Sequence, residues 1–210
     1  MVGSGRGITM PGAQIPEWLC SWYCCYDLDT IGHEITHGLV QETAGLRGNF
    51  QAETLNESIA DCFGMMVKQM ANNLMVNESD WDSSPGWWAD TTVKEHGWTK
   101  NYLRTFRNPA NKEAAFEPKH MNQWIETDDS HVNCGILNHA FYLAALEFGG
   151  YSWKSVGRIW YQALLDLSFE KPEKQDFKLF ARVTCQRARE YFGSTGEAIL
   201  RQAWSKVGVI

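Results

Sequence analysis

His33-Glu34-Ile35-Thr36-His37 is the segment that most restricts how this 210-residue chain can fold. On a helix, residues i and i+4 share a face, so both imidazoles can point at one ion. The surroundings agree: Ile31, Ile35 and Leu39 recur at helical spacing between Asp29 and about Thr43, and Gly45 follows as a stop signal. Glu34 sits one step around that helix, within reach of a water on the ion rather than of the ion itself. A catalytic zinc needs a third protein ligand and one open position. The segment Asn56-Glu57-Ser58-Ile59-Ala60-Asp61 offers that ligand, because Glu57 and Asp61 again stand at i and i+4. Glu57 is read as the third ligand, and Asp61 as the hydrogen-bond acceptor that fixes the outer nitrogen of a ligand histidine. The plainer alternative places both carboxylates in solvent, where such residues usually lie. Against it, Ile59, Phe63 and Met66 make this helix too apolar to be fully exposed.

The remainder reads as mainly α. A second helix is expected from about Thr54 to Met75, and others over 133–148, 153–167, 176–192 and 196–207. Gly149-Gly150, Pro172 and Gly193 punctuate them. The segments 77–99 and 107–130, rich in polar residues, Gly and Pro, read as irregular loops. The one short strand expected lies near Trp18–Tyr26. Lys and Arg number 19 against 25 Asp and Glu, a net charge of -6 that argues against nucleic acid or an anionic membrane as partner. No apolar run is long enough to span a bilayer. The Gly-rich start, Met1 to Gly12, does not have the form of a signal peptide. Cys20, Cys24 and Cys25 cluster while Cys62, Cys134 and Cys185 stand alone, with no Cys-x-x-Cys pair; most are expected to be buried thiols. Trp87-Trp88 is expected to pack as a loop onto the core rather than line a pocket, and His96, His120 and His139 to be ordinary histidines.

Several separated motifs, in order, resemble the thermolysin-like neutral zinc metallopeptidases. They are His33 to Gly38, Thr43-Ala44-Gly45-Leu46, Asn56 to Gly64, Arg104 with Asn108-Pro109, His131 to Asn138, Tyr191 to Thr195, and Ala203-Trp204 with Val207-Gly208-Val209. The resemblance covers roughly Asp29 to Ile210 and implies the helical carboxyl-terminal lobe of that fold. It implies Zn2+ on His33, His37 and Glu57, Glu34 as the base for the attacking water, and His131 as a hydrogen-bond donor to the oxyanion. By the same resemblance Arg104 would bind a substrate backbone carbonyl, Asn133 would contact substrate backbone nearby, and secretion is implied. Glu126, Asp128 and Asp129 are all placed to hold His131 in its working tautomer, with Glu126 favoured.

The chain departs from the family pattern in three places. Gly48 stands where the family carries a tyrosine that assists at the oxyanion, a donor whose removal typically costs about 10²–10³ in rate. Asp29 matches one acid of the family's paired calcium site, but Lys68 stands where a glutamate is expected, so the double Ca2+ site is not expected; Asp80 and Asp82 leave a weaker single site open. The family's strand-rich amino-terminal lobe has no counterpart: residues 1–28 read as a short remnant ahead of a helical catalytic domain at 29–210. The implied activity is cleavage of internal bonds of protein or peptide substrates, favouring a bulky apolar residue after the scissile bond. The alternatives are a zinc-binding module without proteolysis and, more remotely, hydrolysis of another amide.

Overall fold

The computed structural model describes residues 27–111 and 116–210. The expected strand at Trp18–Tyr26 and the Cys20, Cys24, Cys25 cluster lie outside the described residues. Among the described residues, six α-helices carry the fold: α1 (Leu28–Glu42), α2 (Phe50–Ala71), α3 (Asp90–Glu95), α4 (Cys134–Phe148), α5 (Val156–Leu167) and α6 (Phe177–Lys206). α2 starts four residues before its first expected residue because Asn49 caps it, its side chain accepting from the Ala52 amide at 2.9 Å. Asp176 caps α6 in the same way through the Leu179 amide. The break expected at Gly193 is a kink within α6, at φ 69° and ψ -163°.

The segments read as loops hold a structured ribbon. β1 (Asp82–Pro85) and β2 (Tyr102–Thr105) pair antiparallel, with Ser83 opposite Arg104, and α3 lies between them. Four-residue strands bracketing a long connection leave too short an alternation for a period-two signal to rise above the turn residues. The pair is fixed by long-range contacts instead. Trp88 Nε1 donates to the Tyr102 carbonyl at 3.0 Å, and the Asn101 side chain exchanges hydrogen bonds with the Trp88 backbone.

α2 packs against α1 most extensively and also touches α4, α5 and α6. The core is built on aromatic rings. Trp160 stacks on Trp204 with centroids 5.6 Å apart, and Phe141 and Phe180 meet the Trp160 ring edge-on. Two of the buried indoles, Trp81 and Trp204, find acceptors in the Val76 carbonyl and Thr184 Oγ1. Cys62, Cys134 and Cys185 are buried free thiols, and burial pushes each above its ordinary value.

One close backbone approach sets the spacing of α1 and α2. A Cβ on Gly64 would lie 2.2 Å from the Asp29 carbonyl oxygen and 3.1 Å from the His33 amide nitrogen. Because those atoms are backbone, Gly64→Ala must part α1 from α2 rather than turn a side chain. We expect it to cost about 1–3 kcal/mol, as overpacking does, seen as a lower thermal midpoint by circular dichroism. An unchanged midpoint would show that the contact is not tight.

Candidate metal centre

α1 and α2 bring three bare donors to one point. His33 Nε2 and His37 Nε2 face each other at 3.0 Å, and Glu57 Oε2 lies 3.4 and 3.6 Å from them. His33, His37 and Glu57 are the group among the described residues whose ligand atoms all lie within 4.8 Å of one another. The outer nitrogens explain why the inner ones are bare. His33 Nδ1 meets Asp61 Oδ1 at 2.9 Å and His37 Nδ1 meets Asn56 Oδ1 at 3.0 Å. An acceptor at each Nδ1 keeps the proton there and leaves the Nε2 lone pairs pointing inward. Glu57 Oε2 is itself buried without a hydrogen bond. Two lone pairs and a carboxylate oxygen converging in this way repel unless a cation stands among them, and two imidazoles with one carboxylate form a zinc donor set. Without a metal, a proton takes that place. Burial disfavours a charged His33, but Asp61 and Glu57 outweigh it and lift the imidazole to about 9. Burial likewise opposes the charge on Glu57, yet His131 and His33 hold its carboxyl below the usual range.

Asp61 is the hub beneath this cluster. It is buried, its Oδ1 accepting from His33 and from Arg104 Nη1 at 3.3 Å, its Oδ2 from Asn138 Nδ2 at 2.8 Å. Burial pushes its carboxyl up, while the Arg104 guanidinium and then His33 hold it below its ordinary value. Asn138 on α4 is in turn held by Ser58, whose hydroxyl donates to Oδ1 at 2.7 Å.

A cavity of about 260 Å³ opens beside the donors, lined by Glu34, Trp87, Leu103, Arg104 and His131 among others. Glu34 is exposed there, one step around α1 from the two histidines. His131, on the turn before α4, reaches in with Nε2 3.2 Å from Glu57 Oε2, and its imidazole is raised first by that carboxylate.

Three expectations need correction. Glu126 does not hold His131: Glu126 Oε1 accepts from Trp124 Nε1, whereas Asp129 Oδ1 lies 2.8 Å from His131 Nδ1 and accepts the His131 amide at 3.0 Å. A carboxylate two residues back can reach both groups of one turn at once, and one five residues back is carried away by the chain. Asn133 is fully buried, its side chain exchanging hydrogen bonds with the Ile125 backbone, so it clamps two loop segments and is not presented to a substrate. Trp87 lines the cavity instead of packing on the core. Asn56 and Asn138 were missed as supporting residues, and Asp129 had been named only as an alternative to Glu126. Asn56 had a signal, since it adjoins Glu57 on the same helix; Asn138 had none, lying on another helix.

Gly48 has φ 88° and, among the described residues, nothing within 4 Å of an added Cβ. Lys68 takes the place of a cation among acids. Its Nζ donates to Asp80 Oδ1 at 3.0 Å and to the Asp82 carbonyl at 2.6 Å, and lies 3.9 Å from Asp29 Oδ2. We expect millimolar Ca2+ to leave the thermal midpoint unchanged and Lys68→Ala to lower it; a Ca2+-dependent rise in the parent chain would contradict the arrangement.

Comparison with known proteins gives a consistent picture. Residues 44–209 match the model of the thermolysin metallopeptidase α-helical domain. An extracellular metalloprotease of Pectobacterium carotovorum subsp. carotovorum is 39% identical over 195 residues, covering 87% of this chain and 53% of that protein. Protease PrtS of Photorhabdus sp. (strain Az29) is 35% identical, covering 87% and 50%. Among solved structures, the precursor of protealysin, a metalloproteinase from Serratia proteamaculans, superimposes with a TM-score of 0.77 at 35% identity, covering 88% of this chain and 58% of that one. The chain therefore spans about half the length of these relatives.

Proposed function

Because this chain belongs to the thermolysin metallopeptidase family, whose α-helical domain it carries, we propose that residues 29–210 form the catalytic half of a zinc-dependent endopeptidase. The observation that carries the proposal is the convergence of His33 Nε2, His37 Nε2 and Glu57 Oε2 on one point, with Asp61 and Asn56 engaging the outer nitrogens of the two imidazoles. Those three residues would hold the zinc. When bound, it supplies a Lewis acid that acidifies a water and polarises the scissile carbonyl.

The chain's own residues then have separate tasks. Glu34, exposed in the cavity, accepts the proton of the attacking water and passes it to the leaving amine nitrogen as the C–N bond breaks. His131 donates from Nε2 to the oxyanion; Asp129 holds the other ring nitrogen and so fixes which one carries the donated proton. Arg104 binds a backbone carbonyl of the peptide from the cavity wall. Trp87 and Leu103 give the same cavity an apolar surface, which suits a bulky apolar side chain next to the cleaved bond. The substrates are proteins or peptides. Secretion is supported by the extracellular naming of the Pectobacterium relative; among the described residues no helix is long and apolar enough to cross a membrane.

A second reading has its own support. With Gly48 where the family carries an oxyanion donor, the chain would bind zinc yet turn peptides over slowly. Cleavage of a quenched apolar peptide, with and without a zinc chelator, separates the two. Chelator-sensitive cleavage is expected; full zinc occupancy without cleavage would leave the non-proteolytic module.

A further inference from the structure

Arg104 reaches the cleft from β2 as a cation that is 7% exposed. Two carboxylates on different elements hold it. Asp61 of α2 accepts from Nη1, and Glu117 Oε1, on the segment before α4, lies 2.9 Å from Nε. Glu117 is not part of the cavity lining and stands behind Arg104. The contact is a charge pair rather than an aligned hydrogen bond, since Nε and Glu117 Oε2 are both buried without a hydrogen-bond partner.

The fold takes trouble to bring this acid in. The Glu117 amide donates to the Pro109 carbonyl at 3.0 Å, and Lys119 ties down the following residues through Gln123 and Asn108. Gly135, in the first turn of α4, makes the approach possible, because a Cβ there would lie 2.5 Å from the Pro118 carbonyl oxygen and 3.0 Å from Glu117 Cβ. Burying a carboxyl is costly unless it is paired. Burial pushes the Glu117 carboxyl up, and the adjoining Arg104 guanidinium pulls the other way, favouring the charged form. A guanidinium is a rigid planar fork, so holding it at Nε and Nη1 fixes both its plane and its rotation. Among the described residues no hydrogen bond reaches Nη2, so it is open to a ligand.

We propose that Glu117 is a positioning residue which, from behind the cleft wall and together with Asp61, fixes the Arg104 guanidinium so that Nη2 meets a backbone carbonyl of the bound peptide. This rests on the metallopeptidase reading only through the contact of Arg104 with peptide.

Two zinc-directed probes test it on the zinc-loaded chain by calorimetry. Acetohydroxamate has no peptide backbone, whereas a dipeptide hydroxamate presents backbone carbonyls. Glu117→Gln is expected to raise the Kd of the dipeptide hydroxamate about tenfold and to leave that of acetohydroxamate unchanged. Glu117→Asp, which keeps the charge, should recover part of the loss, and it carries the comparison if the Gln variant does not fold. In an Arg104→Lys background, where the fork is gone, Glu117→Gln should add nothing. Equal weakening of both probes, no weakening of either, or simple additivity with Arg104→Lys would overturn the proposal. Failure of acetohydroxamate to bind the parent chain would count against the metal reading instead. Glu117 is then judged by the NMR signal of the Arg104 Nε–H, assigned by its absence in Arg104→Lys. A slowly exchanging signal lost in Glu117→Gln supports positioning, and an unchanged one overturns it.

Discussion

Glu34→Gln will take up zinc like the parent chain and lose peptide hydrolysis by about 10²–10⁴-fold, the usual worth of a general base. The asymmetry follows from where the side chain stands. His33, His37 and Glu57 meet at one point, whereas Glu34 is absent from that cluster and lines the cavity beside it. An amide at position 34 keeps shape and polarity but cannot accept and then return a proton. Zinc content by atomic emission and turnover of a quenched peptide should therefore separate. Loss of both together would place Glu34 among the ligands, and retention of turnover would assign the proton transfer to another group.

The largest effect on stability is expected at Asp61. Its carboxylate serves His33, Arg104 and Asn138 at once from full burial. Asp61→Ala leaves the Arg104 guanidinium buried with one of its two acids gone, and breaking such a buried pair costs about 3–5 kcal/mol. It also frees His33 Nδ1, and loss of a group that orients a ligand typically weakens a metal about 10–100-fold. Chemical denaturation of the metal-free protein and zinc competition with a chromophoric chelator measure the two separately. A change below about 1 kcal/mol would mean that solvent already reaches this charge network. The sign with pH follows from the depressed carboxyl. Its contribution is present above the unfolded carboxylate value, near 3.9, and is lost as pH falls through the lower folded one. The acid limb of the stability curve should accordingly be shallower in the variant.

The legible part of the molecule was what local spacing encodes. An i, i+4 pair of histidines and an i, i+4 pair of carboxylates each need a single helix to be read, and α1 and α2 are those helices. The boundaries of α4 and the Gly193 break were similarly local, resting on periodicity and a residue free to adopt positive φ. The ribbon of β1 and β2 was not legible, because its registration depends on Trp88, Asn101 and Tyr102 meeting across a chain reversal. The supports of the site were legible only in part. Asp61 could be placed beneath a histidine from spacing alone, but the choice of Asp129 over Glu126 depended on how the turn before α4 closes.

The sequence alone determined the chemistry available, namely two imidazoles, a ligand carboxylate and a nearby base on two helices, with Lys68 set among acids where a metal would otherwise be expected. The tertiary structure alone decided what surrounds them: Asn138 under Asp61, Glu117 behind Arg104, Trp87 in the cleft wall and Asn133 withdrawn from it. The reason is physical. Helical periodicity fixes which side chains share a face within some four residues. Which distant carboxylate reaches a given guanidinium depends instead on how closely the elements approach, and that was set at the backbone by Gly64 and Gly135.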